Sequence, residues 1–86
     1  MDKPWLMGID LGGSGARCVL LNSASGALHS AFGAWQFPPQ EGTFGTGYTV
    51  DLENVWHIVG NACRGALKKA AINPAAVASV AVAAMR

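Results

Sequence analysis

Ile9-Asp10-Leu11-Gly12-Gly13-Ser14-Gly15-Ala16-Arg17 is the stretch on which the reading of this chain turns. The apolar run Trp5 to Ile9 reads as a buried strand that ends at Asp10. Leu11 to Gly15 reads as a tight glycine-rich turn, and Arg17 to Leu21 as a second strand. Glycines carry no Cβ, so an anion can approach their backbone N–H groups closely. Successive N–H groups form a concave nest suited to phosphate. Ser14 adds a hydroxyl donor and Arg17 adds charge nearby. Asp10 repels phosphate directly, so its role beside such a nest is to hold Mg²⁺, through water, against the phosphates. Two other glycine motifs do not fit. GxGxxG requires a helix to open at once, whereas Cys18 to Leu21 is strand-like, and the lysine of a P-loop is absent.

Downstream, Asn22 to Gly26 carries turn chemistry. Ala27 to about Phe37 is expected to form a third strand, with Leu28, Ser30, Phe32, Ala34 and Gln36 on one face. The opening is therefore a three-stranded antiparallel meander. Pro38-Pro39 ends it, because proline cannot donate to a ladder. After a loop with Gly42, Gly45 and Gly47, Asp51 reads as a helix N-cap. Leu52, Val55, Trp56, Val59, Cys63, Leu67 and Ala70 then recur at three- and four-residue steps, which places one apolar stripe on a helix. Arg64, Lys68 and Lys69 fall late in it, where cations favour the dipole. Asn73-Pro74 stops it, Ala75 to Ala78 suits a further turn, and Ser79 to Met85 reads as a last strand.

The order is β-β-β-α-β, an α/β fold. A strand returning after a helix crossover should lie parallel to a neighbour. The strands near Ile9 and Val82 are apolar on both faces and need cover on both, yet the chain supplies one substantial helix. The chain ends at Arg86, where a strand hands over to a loop. The expectation is a part of a larger fold, or a chain that needs a partner or a second copy to cover the sheet.

The 86 residues allow one small domain. Fifteen alanines swell the apolar content, so the core is thin. Only 13 % of residues are charged and the formal net charge is +1, which argues against a nucleic-acid surface or a polybasic membrane patch. The apolar stretch Ala75 to Met85 is about half of the ~20 residues a membrane span needs. Asp10 interrupts the apolar N-terminal run and no cleavage site follows, so no signal peptide is read and a cytoplasmic location is expected. Cys18 and Cys63 lack metal-ligand spacing and are expected as reduced, buried thiols.

Asp-x-Gly-Gly-Ser-x-x-Arg after a strand, in this order of elements, resembles the first phosphate loop of the actin-like ATPase superfamily, whose domain is ribonuclease H-like. Met7 to Ser14 through Arg17, then Asn22 to Gly26, Asp51-Leu-Glu-Asn-Val-Trp56, and Ser79 to Arg86 resemble the N-terminus of FGGY carbohydrate kinases. The likeness covers nearly the whole chain. The closing Met85-Arg86 is similar to that of autoinducer-2 kinases, as are the Asp51 helix and Trp35. Met85 stands where many members carry glutamine, Gly13 where many carry threonine and Thr49 where many carry glutamate.

The resemblance implies in-line transfer of the γ-phosphate of MgATP to a hydroxyl of a sugar or polyol, by positioning and charge stabilisation. It makes residues 1–86 an incomplete N-terminal kinase domain, with a phosphate loop over residues 10–17. Asp10 is then the Mg²⁺ partner, Gly12, Gly13, Ser14 and Arg17 the phosphate contacts, and Arg86 a contact for a sugar oxygen. The aspartate base, the adenosine site and a second phosphate loop belong to sequence beyond Arg86, so no catalytic residue is expected here and the chain alone should not turn over. Against this stands a non-catalytic phosphate- or nucleotide-binding module, or a remnant of an actin-like ATPase, that keeps the phosphate loop. Trp56 and Trp35 are read as core residues, and His57 as facing solvent or a polar contact.

Overall fold

The computed structural model describes residues 3–35 and 52–84. Among the described residues the chain is an α/β fold with one four-stranded mixed sheet and one α-helix. The elements are β1 (Trp5–Leu11), β2 (Gly15–Asn22), β3 (Leu28–Ala34), α1 (Leu52–Ala70), a short 3₁₀ turn (Pro74–Ala76) and β4 (Val77–Ala84). The strand order is β3-β2-β1-β4. β1, β2 and β3 form the antiparallel meander, and β4 runs parallel to β1. The meander and the parallel return were both expected. Strand boundaries move: β1 continues through Asp10 to Leu11, because Asp10 pairs with Arg17 and Leu11 with Ala16, β2 begins at Gly15 rather than Arg17, and β4 begins at Val77 rather than Ser79. β3 ends at Ala34, while Gln36, Phe37 and the Asp51 cap lie outside the described residues.

The β2–β3 turn forms as its residue types require. The Asn22 side-chain oxygen accepts from the N–H groups of Ala24 and Ser25, at 2.9 and 3.0 Å. Gly26 takes φ +80°, a conformation that costs glycine little. After α1, Ala71 enters the left-handed region at φ 57°, and the N–H of Ile72 reaches back to the carbonyl of Leu67. That is a Schellman closure with alanine in the usual glycine position. Asn73 then caps the 3₁₀ turn, its side chain accepting from Ala75 N–H at 3.0 Å.

Residues paired across strands share a face. Met7, Ile9, Cys18, Leu20 and Ala31 point towards α1, which packs on β2 and β3. The buried centre is Cys18, Leu20, Ala62 and Ala66. The helix sits close because its partners are small. A Cβ on Gly33 would meet Ile58 Cγ2 at 2.6 Å, and one on Gly65 would lie 3.0 Å from the Ala31 methyl. The contact face therefore centres on Ala62 and Ala66, and the helix rolls the large end of the expected stripe outwards. Leu52 and Trp56 are 75 % and 78 % exposed, which corrects the expectation that Trp56 is a core residue. Trp35 is buried, as expected.

The opposite face carries Leu6, Leu21, Leu28 and Phe32, all exposed, with no helix over them among the described residues. β4 extends past the helix on the near face, leaving Val80 and Val82 exposed. Among the described residues, α1 thus covers β2 and β3 on one face of the sheet. No described helix is long and apolar enough to cross a membrane.

Cys18 is fully buried, and burial, with the neighbouring Cys63 thiol, pushes its pKa up to about 12. A thiol that stays neutral in the fold gives its full stabilisation below the ordinary thiol range and loses it as the pH rises towards the folded value. Urea midpoints measured at about pH 8 and about pH 11 should fall further for the native chain than for Cys18→Ala. Equal falls would contradict the burial of this thiol.

Candidate functional site

β1 and β2 are joined by a tight hairpin of Gly12, Gly13 and Ser14, with Gly13 and Ser14 at its tip. The Gly12 N–H donates to the Gly15 carbonyl at 2.9 Å and closes the turn. That bond engages the Gly12 N–H inside the hairpin. Gly13 and Ser14 differ. Their N–H groups and the Ser14 hydroxyl make no hydrogen bond among the described residues. The Ser14 carbonyl accepts from Trp35 N–H at 3.1 Å, which ties the tip to the end of β3. Both tip residues are exposed.

The three glycines of the hairpin have separate roles. Neither Gly12 nor Gly13 takes a positive φ. A Cβ on Gly13 would meet nothing within 4 Å, so its backbone lies open. Gly15 is required by packing. A Cβ there would collide with the Gly33 carbonyl and lie 2.6 Å from the Phe32 ring. The sequence reading placed Gly15 in the turn and assigned it no such contact. Only the pairing of β2 with β3 reveals the demand.

Asp10 and Arg17 are directly paired across β1 and β2, both exposed, on the face away from α1. Asp10 also pairs with Ala83 of β4, so its carboxylate stands near the carboxyl ends of two parallel strands. Open α/β sheets bind their ligands at that end. The Arg17 guanidinium lies over the Phe32 ring, 5.2 Å from its centroid. This cation–π contact holds the charge on the open face, one pair away from the hairpin. Arg86 and Met85 lie outside the described residues.

α1 runs antiparallel to β3: Ile58 faces Gly33, Gly65 faces Ala31, and Lys69 Nζ donates to the Ser30 carbonyl at 2.7 Å. The start of α1 therefore lies at the hairpin end of the sheet. An open depression of about 510 Å³ lies there, lined by Glu53, Asn54, Trp56 and His57. Exposed Trp56 was missed as a surface residue because its helical spacing matches a core stripe. No group of three metal-ligating side chains gathers among the described residues. A cation at Asp10 would draw its remaining ligands from phosphate and water, which suits Mg²⁺.

No protein-family model and no curated protein matches the chain.

The two glycines should answer substitution oppositely. Gly13→Thr is expected to leave stability within about 0.5 kcal/mol of the native chain. Gly15→Ala is expected to lose ~3 kcal/mol by overpacking against β3. Urea denaturation of both variants checks this, and equal effects would contradict the assigned roles.

Proposed function

We propose that the chain is the N-terminal part of an ATP-dependent carbohydrate kinase of the FGGY kind, with a ribonuclease H-like domain, and that its β1–β2 hairpin binds the phosphates of MgATP. One observation carries the reading. Two open N–H groups and a hydroxyl, at Gly13 and Ser14, stand at the tip of a hairpin whose first strand bears exposed Asp10. Donors and an acid in that order suit a phosphate chain carrying a divalent cation. The strand order β3-β2-β1-β4, with parallel β4, is consistent with the domain the resemblance implies.

In this reading the Gly13 and Ser14 N–H groups donate to phosphate oxygens, and the Ser14 hydroxyl adds a third donor. The Asp10 carboxylate accepts from water molecules around Mg²⁺. Arg17 raises the local positive potential while Phe32 fixes where its charge sits. MgATP supplies the phosphoryl group that passes to a sugar or polyol hydroxyl. This chain's share is positioning and charge, which dominate phosphoryl transfer. The base that takes the hydroxyl proton, the adenosine site and the second phosphate loop fall to sequence outside these 86 residues. Arg86 is proposed to contact a sugar oxygen.

The uncovered sheet favours the same reading over a self-sufficient binding module. Leu28 and Phe32 are 64 % and 50 % exposed on a face where a complete domain packs a further layer. The rest of the kinase chain, or a second copy, is proposed to cover it.

Asp10→Ala in the intact protein should lower ATP-dependent phosphorylation of its preferred substrate by about 100-fold or more. The preferred substrate is found first with a panel of ketoses, polyols and the autoinducer-2 precursor. Circular dichroism should be unchanged, since Asp10 is exposed. Native turnover in the variant would refute the assignment of Asp10.

A further inference from the structure

The sheet face turned away from α1 is lopsided in a regular way. On β3 and β2 it carries bulk, in Leu28, Phe32 and Val19. On β1 and β4 it is low, with Gly8, Ser79 and Ala83. A Cβ on Gly8 would meet nothing within 4 Å. The charges follow the same division. Arg17 stands on β2 and Asp10 directly across from it on β1. Arg17 lies over the Phe32 ring, and the Asp10 carboxylate has no ion-pair or hydrogen-bond partner among the described residues. Each half of the face therefore has, in shape and in charge, what the other half lacks.

We infer that this face is an interface with a second copy of the chain, related by a two-fold axis that runs along the strands between β1 and β2. The order β3-β2-β1-β4 is centred on that line, so the two sheets overlap in full. The rotation sets β2 of one copy on β1 of the other, and β3 on β4. Val19 then faces Gly8 of the second copy and Leu21 faces its Leu6. At the flanks, Leu28 faces Ser79 of the second copy and Phe32 faces its Ala83. Arg17 meets Asp10 of the second copy, and the symmetry makes that pair twice, as an isologous interface requires. A two-fold across the strands would instead set Asp10 and Arg17 over leucines, where an unpaired charge is costly. Strands of seven residues or more, four abreast, give roughly 1,000 Å² of surface removed from water by the two copies together. That is enough for a specific dimer at the weak end of the range, so dissociation in the micromolar range is expected. The inference does not rest on the phosphate reading. Asp10 cannot serve hydrated Mg²⁺ and the Arg17 of a second copy at once, so the association belongs to protein free of nucleotide and Mg²⁺.

Sedimentation equilibrium of the intact protein, without nucleotide or Mg²⁺, tests this from micromolar to millimolar concentration. The expected result is a reversible equilibrium between one and two copies. Asp10→Arg alone and Arg17→Asp alone should each weaken it about tenfold or more, and the two together should restore it to within about threefold of the native chain. Gly8→Leu should abolish it with circular dichroism unchanged, because the single chain has room there and the Val19 of a second copy does not. A monomer at every concentration would overturn the inference and leave the face to the remainder of its own chain. Such a monomer that still bound MgATP would lose this inference alone. A dimer indifferent to Gly8→Leu, or one the exchanged charges do not restore, would also overturn it. So would association that continues past two copies, since a closed two-fold stops there.

Discussion

The close seating of α1 on β2 and β3 is the constraint on which the other features rest. It depends on what is missing at two positions, a Cβ on Gly33 and one on Gly65. With those gaps the helix comes close enough to bury Cys18, Leu20, Ala62 and Ala66 as one centre. The core is small, so close contact does what side-chain bulk does elsewhere, by dispersion between well-fitted surfaces. The same seating fixes what stays open. A helix committed to β2 and β3 cannot also cover β4, and one helix cannot cover both faces. Val80 and Val82 on one side, and Leu28 and Phe32 on the other, are exposed for that reason.

Much of this architecture is legible in the residues. Asn22 to Gly26 names its own turn, and the proline and asparagine after α1 mark where the chain turns back. The parallel return of β4 follows from the handedness and connection rules for strand–helix–strand units. Two features escape such reading, for related physical reasons. Apolar periodicity shows that a helix has a buried face without choosing among overlapping stripes. Trp56 and Ala62 both satisfy the spacing, and the small residues decide because only they permit the approach at Gly33 and Gly65. Equally, the glycines of Gly12-Gly13-Ser14-Gly15 look interchangeable along the chain. Their roles separate only across strands, where Gly15 faces the Gly33 carbonyl and Phe32 while Gly13 faces open space.

The hairpin draws its chemistry from that division of labour. Gly12 closes the turn with its own N–H, Gly15 lets β2 pack against β3, and the Ser14 carbonyl anchors the tip to Trp35. With those demands met by other atoms, the N–H groups of Gly13 and Ser14 remain open at the turn between two paired strands. Preorganised donors of this kind pay little reorganisation on binding. Asp10 and Arg17 stand across from each other behind the tip, the first proposed to hold hydrated Mg²⁺ and the second over the Phe32 ring.

The central claim is that Gly13 and Ser14, and not Gly12, present their N–H groups to the phosphates of MgATP. Titrating isotopically labelled intact protein with MgATP and following individual backbone amides by NMR tests it directly. The account predicts large shifts at Gly13 and Ser14, a much smaller one at Gly12, and loss of the effect when magnesium is withheld or Asp10 is replaced by alanine. Saturating MgATP that leaves the Gly13 and Ser14 amides unmoved would contradict it.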